Sequence, residues 1–160
     1  MPPITFTDAA TWYAGLPTMY GAAAALITGP SGVLLVKPNY RDLWSLPGGI
    51  LEHGESPQAG CAREVAEEVG LKLTVGPLLV VDWAPPDDER PRPFVYFVFD
   101  GGEVGPDVDI TLQEEELDDY RFTETGEFGS YLPPMANARV SAALHARAIG
   151  APVYLPTWAG

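Results

Sequence analysis

The chain has 160 residues, of which 46% are hydrophobic, enough for one ordinary globular domain. Its formal net charge of −13 argues against duplex nucleic acid or anionic membrane as a partner, because both would repel it. The single cysteine, Cys61, cannot form an internal disulfide, and neither a secretion signal nor a membrane-spanning apolar run is evident, so we expect a cytoplasmic protein. A homodimer remains open.

The first third of the chain predicts a short helix and then a β-hairpin. The segment DAATWYAGL, residues 8–16, predicts a helix with Trp12 packed on the body. Two apolar runs, Ala22 to Thr28 and Val33 to Lys37, flank the turn sequence GPSG and predict the hairpin. The segment LWSLPGG, residues 43–49, predicts a short strand that ends in a turn at Pro47 and the two glycines.

A helix is predicted next. Ser56 is a suitable N-cap, Pro57 suits the first helical position, and Gly70 is a suitable C-terminal stop.

The second half predicts further strands and one more helix. The runs at 71–84 and 93–102 are rich in β-branched and aromatic residues and predict two strands joined by a charged, proline-rich loop. The acidic stretch 103–119 predicts a loop and the start of a short strand at 117–124, and 136–150 predicts a C-terminal helix. This order of elements predicts a mixed α/β domain with helices on the faces of the sheet.

The first predicted long helix carries three carboxylates on one face. At about 100° per residue, Glu64, Glu67 and Glu68 fall within an arc of about 100°. The apolar stripe lies almost opposite and consists of Ala62, Val65, Ala66 and Val69. We therefore expect the acids to face outward. Cys61 lies between the two faces, where a buried structural thiol is expected.

Two interpretations of this acidic face remain at this point. Like charges at these spacings destabilise a helix by a few tenths of a kcal/mol each, and Arg63 is the only basic residue nearby. The face is then either an ordinary solvated one or a set of oxygen ligands for a hard divalent cation such as Mg²⁺ or Mn²⁺.

The spacing around this helix follows a longer pattern. Residues 49–71 satisfy GX5EX7REUXEEXGU, where U is a bulky aliphatic residue, without a gap or mismatch. The fixed positions are Gly49, Glu55, Arg63, Glu64, Val65, Glu67, Glu68, Gly70 and Leu71. This segment resembles the signature of the Nudix hydrolase family. The resemblance extends over about 21–148, with 1–20 and 151–160 as flanking extensions, and it implies a single Nudix domain over 1–160 that folds as an α/β/α sandwich with a mixed β-sheet.

The resemblance implies a Mg²⁺-dependent enzyme, with Mn²⁺ as a substitute, that hydrolyses a nucleoside diphosphate linked to another group. Glu64, Glu67, Glu68 and the carbonyl of Gly48 would hold the metal. Glu55 and Arg63 would tie the loop to the helix. Metal bound to a diphosphate neutralises charge, positions a water and lowers the pKa of that water.

The resemblance does not decide the general base. Glu64 is one alternative, and Glu114, Glu115 and Glu116 in the later acidic loop are the others; we favour Glu116. Each loop acid is alternatively a solvated surface residue.

The substrate is also left open among ADP-ribose-like compounds, nucleotide sugars and nucleoside triphosphates. Side chains that would contact such a substrate, or would otherwise be ordinary core or surface residues, are Tyr40, Arg41, Trp83 and Tyr96. A catalytically weak nucleotide-binding module is the alternative function. The complete set of motif acids favours the enzyme.

Overall fold

The computed structural model describes residues 8–156. In chain order the elements are α1 (Ala9–Ala14), β1 (Tyr20–Gly29), β2 (Gly32–Pro38), β3 (Gly48–Ile50), α2 (Pro57–Val69), β4 (Leu78–Ala84), β5 (Phe94–Glu103), β6 (Leu117–Thr123), a 3-10 turn (Thr125–Glu127), α3 (Phe128–Tyr131), α4 (Pro134–Ile149) and β7 (Val153–Pro156). None of the helices within these residues is long and apolar enough to cross a membrane.

The strands of the described region form one mixed seven-stranded sheet in the order β6-β2-β1-β5-β4-β7, with β3 paired to β1. The β1–β5 and β4–β7 pairs are parallel and the others are antiparallel. Thr28 lies opposite Val33 in the β1–β2 pair, so the predicted hairpin is confirmed.

The sheet lies between two layers of helix. Alternate side chains of a strand point to opposite faces of the sheet, and β1 shows this clearly. Ala23, Ala25 and Ile27 are buried with residues of α2, whereas Ala24 and Leu26 are buried with residues of α4. The predicted α/β/α sandwich with a mixed sheet is therefore confirmed.

The ends of α2 follow the predicted signals. The side chain of Ser56 accepts a hydrogen bond from the backbone N–H of Ala59 at 3.2 Å, and Pro57 is the first helical residue. Gly70 ends the helix with φ of 73°, a left-handed conformation that glycine adopts without strain. Cys61 is fully buried, as expected.

Two strand predictions are wrong in extent. Residues 43–47 contribute only a single bridge, between Ser45 and Val36, and β3 begins at Gly48, where a turn was expected. Residues 71–77 are not a strand either, since β4 begins at Leu78. Their apolar side chains, Leu71, Leu73 and Val75, pack against the α2 side of the core. The apolar side chains of this loop are thus partly buried without the backbone forming a strand.

The remaining elements agree with the sequence, apart from the 3-10 turn, α3 and β7, which were not predicted. The loop at 104–116, β6, α4 and the short α1 are present where expected. Trp12 in α1 is half-buried. β7, within the segment treated as a flanking extension, was not predicted; it pairs with β4.

Candidate active site

Glu68 points into the protein, which corrects the expectation that all three helix acids face outward. It is 7% exposed, and its Oε2 accepts a hydrogen bond from the backbone N–H of Gly48 at 2.9 Å. The pKa of Glu68 is raised to about 8, mainly by burial and in smaller part by the carboxylates of Glu64, Glu116 and Glu67, while the hydrogen bond from Gly48 opposes the shift. Within residues 8–156, no lysine or arginine forms a salt bridge with Glu68.

The buried face of α2 is therefore not the purely apolar stripe that the helical periodicity predicts. Gly60, Cys61, Val65, Glu68 and Val69 are its buried residues. Ala66, assigned to the apolar stripe, is exposed. The buried face of α2 is thus rotated about the helix axis relative to the predicted apolar stripe, and it includes the carboxylate of Glu68 at its edge.

Arg63 connects the loop before α2 to the acids of the helix. Its Nε and one terminal nitrogen donate to the two carboxylate oxygens of Glu55 at 2.7 and 3.0 Å, and the same terminal nitrogen donates to the carbonyl of Ile50 at 3.1 Å. The other terminal nitrogen donates to Glu64 at 2.8 Å and to Glu67 at 3.2 Å. The pairing of Arg63 with Glu55 that the resemblance implies is therefore present.

This network shifts the pKa values of both partners. Hydrogen bonding from Arg63 lowers the pKa of Glu55 to about 2, with a smaller contribution from the backbone N–H of Glu52. Hydrogen bonding to Glu55 raises the pKa of Arg63. Both groups are thus charged over the whole physiological pH range, and a bidentate salt bridge between Glu55 and Arg63 holds the loop to the helix.

Glu64 lies directly against β3. A Cβ at Gly49 would lie 2.6 Å from the carboxylate of Glu64, so only glycine allows this approach without moving the side chain. The side chain of Glu64 is 14% exposed, and burial raises its pKa despite the neighbouring Arg63. Glu67 is about half exposed and contacts solvent as well as Arg63.

Glu116 reaches the same cleft as Glu68. The two side chains line a cleft of about 230 Å³ together with Gly48 and Gly49. Tyr40, Arg41 and Tyr96 line its wall, whereas Trp83 and the loop acids Glu114 and Glu115 do not. Of the later acids considered as a general base, the structure brings only Glu116 to the motif carboxylates.

The acids in the described region do not form a ready-made metal cluster. Among residues 8–156, no three His, Cys, Asp or Glu side chains converge at positions that would hold an ion. Arg63 contacts Glu64 and Glu67 instead. The donor set nonetheless fits a hard cation in its chemistry, because the carboxylates of Glu64, Glu67, Glu68 and Glu116 lie within electrostatic reach of one another and Glu68 is buried without a cationic partner in this part of the chain.

A family model described as the NUDIX domain matches residues 19–145, more than half of the chain. The chain belongs to the Nudix family. The Nudix match agrees closely with the limits of about 21–148 expected from the motif and its surrounding strands.

Similar proteins include both curated relatives and solved structures. The Bacillus subtilis (strain 168) protein YjhB, provisionally named an ADP-ribose pyrophosphatase, is 32% identical over 83 residues, which are 52% of this chain and 40% of that protein. A MutT protein from Methanosarcina mazei Go1 shares the fold with a TM-score of 0.66 at 25% identity, covering 84% of this chain and 96% of that one. A UDP-X diphosphatase gives a TM-score of 0.69 at 24% identity and covers 92% and 75%. The chain thus matches less than half the length of the curated relative.

One buried pair beside the Nudix cleft was not expected from the sequence. Asp82 on β4 is 1% exposed, and Nε of Arg139 on α4 donates to it at 2.6 Å. The two residues are 57 positions apart, so no local pattern joins them. The available signal was the lone acid within the apolar strand LLVVDWA, since a buried carboxylate requires a partner.

Proposed function

We propose that this protein is a Mg²⁺-dependent hydrolase, with Mn²⁺ as a substitute, that cleaves the diphosphate linkage of a nucleoside diphosphate derivative. The observation that carries the proposal is the cleft that the buried Glu68 and Glu116 both line beside the Gly48–Gly49 backbone, where no lysine or arginine of residues 8–156 pairs with Glu68. The 32% identity to a protein provisionally named an ADP-ribose pyrophosphatase supports the same class of substrate.

In this proposal, Glu64, Glu67 and Glu68 hold the metal, with the carbonyl of Gly48 as a further ligand. When bound there, the metal would neutralise charge on the diphosphate and lower the pKa of an attacking water. Because Arg63 contacts Glu64 and Glu67, it holds two of these carboxylates beside the cleft.

Glu116 is proposed as the general base. It lines the cleft with Glu68, it comes from a different segment than the helix acids, and it carries no salt bridge to a lysine or arginine among the described residues. A carboxylate in this position accepts a proton from water as the phosphorus–oxygen bond forms. Glu64 is less suited to this role because its carboxylate is already engaged by Arg63 at 2.8 Å.

Glu55 acts through Arg63. Its two-pronged hydrogen bond fixes the guanidinium, and the guanidinium in turn reaches the helix acids. We therefore treat Glu55 and Arg63 as positioning residues.

A screen for phosphate-containing products tests the proposal. Purified protein would be incubated with ADP-ribose, nucleotide sugars, nucleoside triphosphates and dinucleoside polyphosphates, with Mg²⁺ or with a chelator. The proposal predicts turnover of at least one class that requires the metal and is lost in Glu68→Gln. Tight binding of a nucleotide without any turnover would favour the alternative, a Nudix-type binding module.

A further inference from the structure

A second, smaller cavity opens beside the carboxylate cleft. It has a volume of about 180 Å³ and shares Arg41, Ser45 and Tyr96 with the cleft. The rest of its wall comes from the region around Trp44 and from the start of α4, including Met135 and Arg139. Sites that enclose a whole drug-sized ligand measure roughly 300–1,000 Å³, so a cavity of this size suits one ring system of a ligand whose remainder lies in the cleft.

Arg139 is the fixed polar group of this cavity. Its Nε donates to the buried Asp82 at 2.6 Å, and its guanidinium carbon lies 4.4 Å from the ring centroid of Tyr96. The salt bridge and the ring together hold the guanidinium plane in one orientation. Within residues 8–156, neither terminal nitrogen of Arg139 donates a hydrogen bond, so both are left for a ligand.

Because the arginines of this cavity are hydrogen-bond donors, they favour the edge of a ligand ring that carries acceptors. A guanidinium has no acceptor, and the charged residues that line the cavity are both arginines, Arg41 and Arg139. Guanine presents two acceptors side by side, N7 and O6, whereas adenine presents the N7 acceptor beside an N6 amino donor. Adenine would therefore place a donor against a donor.

The charge of the ion pair between Arg139 and Asp82 favours a neutral ring over an anion as the ligand of this cavity. Asp82 neutralises Arg139, so the pair offers oriented N–H groups with little net positive charge. Much of the remaining wall is aromatic or aliphatic, from Trp44, Leu46 and Val140 among others, and such a surface suits a planar ring better than a second phosphate.

We propose that this cavity binds the nucleobase of the substrate, and that Arg139, positioned by Asp82, selects a purine with a 6-keto group over adenine. The inference rests on the proposed function, because it assumes that the molecule in the cleft is a nucleotide derivative.

The test uses nucleoside monophosphates, which lack a diphosphate bond and so bind without turnover. Dissociation constants for GMP, IMP and AMP would be measured by calorimetry with the full chain and Mg²⁺. A two-pronged contact between arginine and guanine discriminates by roughly 5- to 150-fold, so GMP should bind more tightly than AMP by a factor in that range. IMP, which keeps N7 and O6 but lacks the 2-amino group, should resemble GMP.

Two variants separate the role of Arg139 from its contribution to folding. Arg139→Lys keeps a positive charge opposite Asp82 but loses the planar fork, so the ratio between AMP and GMP should fall towards one while the fold remains. Arg92→Lys is the matched control, because Arg92 lies over the ring of Tyr20 outside this cavity, and it should keep the wild-type ratio.

The outcomes distinguish this inference from the proposed function. Equal binding of GMP and AMP, preference for AMP, or a ratio that survives Arg139→Lys in a folded protein would overturn the keto-purine assignment even if the enzyme hydrolyses diphosphates. IMP behaving like AMP would assign the contact to the 2-amino group and would also overturn it. A selective, Arg139-dependent GMP site without turnover of any diphosphate would instead overturn the hydrolase proposal and leave the subsite standing.

Discussion

Glu68 on α2 accepts a 2.9 Å hydrogen bond from the backbone N–H of Gly48, 20 residues earlier on β3. The contact requires glycine on the strand, since a Cβ at Gly48 would lie 2.3 Å from the carbonyl oxygen of Ala23. This hydrogen bond joins β3 to α2 through a carboxylate. The most polar residue of the buried helix face is the one that lines the cleft.

Glu68→Gln should abolish most activity without unfolding the protein. Glutamine keeps the shape and the hydrogen bond to Gly48 but removes the carboxylate charge that the proposed metal would need, so turnover should fall by at least ~100-fold. Because the carboxylate is buried with its pKa raised to about 8, the metal-free variant should melt no lower than the wild type at neutral pH. Turnover and thermal melts measure both effects. Near wild-type turnover would show that Glu68 is not a metal ligand.

Arg63→Lys should impair activity through positioning. Lysine keeps the charge but lacks the fork that contacts both oxygens of Glu55 while also reaching Glu64 and Glu67. Loss of such a supporting contact lowers activity by about 10- to 100-fold, whereas the affinity for Mg²⁺ should change less. Turnover and calorimetric titration of Mg²⁺ separate the two. A loss of metal affinity equal to that of Glu68→Gln would contradict this division of roles.

Gly49→Ala should displace the carboxylate of Glu64. The new Cβ would lie 2.6 Å from that carboxylate, which is the mobile end of a side chain, so the fold should survive while the carboxylate moves. Misplacement by about 1 Å costs up to ~100-fold in rate. Gly126→Ala is the matched control, because a Cβ there meets nothing within 4 Å. Equal activity of the two variants would show that the Gly49 contact does not position Glu64.

The ion pair of Glu55 and Arg63 should appear in the pH dependence of stability. The native pKa of Glu55 is about 2 against an ordinary value of 4.5, so the native state binds fewer protons than the unfolded state between these values. The stabilisation is therefore present above about pH 4.5 and is lost as the pH falls towards 2. Melting temperatures should fall more steeply over this window in the wild type than in Glu55→Gln. Parallel curves would mean that the pair does not stabilise the native state.

The sequence predicts the elements of this fold better than it predicts the orientation of the site. Ser56, Pro57 and Gly70 define α2 because caps and stops are local chemistry. The direction of Glu68 is not local, since it depends on a backbone N–H of β3 and on the rotation of α2 against the sheet. The helical periodicity of α2 assigns all three of its motif acids to the solvent-facing side, and it therefore places Glu68 wrongly. It also assigns Ala66 to the buried side, although Ala66 is exposed.

Contacts between residues far apart in the sequence explain the other differences between the predicted and the observed structure. β3 begins at Gly48 because glycines there can approach β1 closely, which the run LWSLPGG does not reveal. Asp82 and Arg139 meet only because α4 packs across β4. The spacing of the motif nonetheless identifies acids that lie together, since Arg63 contacts Glu55, Glu64 and Glu67, and Glu68 lines the cleft.

Thermal melts in Mg²⁺ test most directly whether Glu64, Glu67 and Glu68 form a metal site. A ligand that binds only the native state stabilises it by about 2.7 kcal/mol at 100 times its dissociation constant, and for a domain of this size each kcal/mol raises the melting temperature by roughly 2–4 °C. Sodium chloride at matched ionic strength corrects for general screening of the net charge of −13. Saturating Mg²⁺ should raise the melting temperature of the wild type by several degrees more than sodium does, whereas a Glu64→Gln, Glu67→Gln, Glu68→Gln triple variant should respond to both salts alike. An equal magnesium response in the two proteins would show that these acids are an ordinary solvated cluster and would contradict the metal-dependent mechanism.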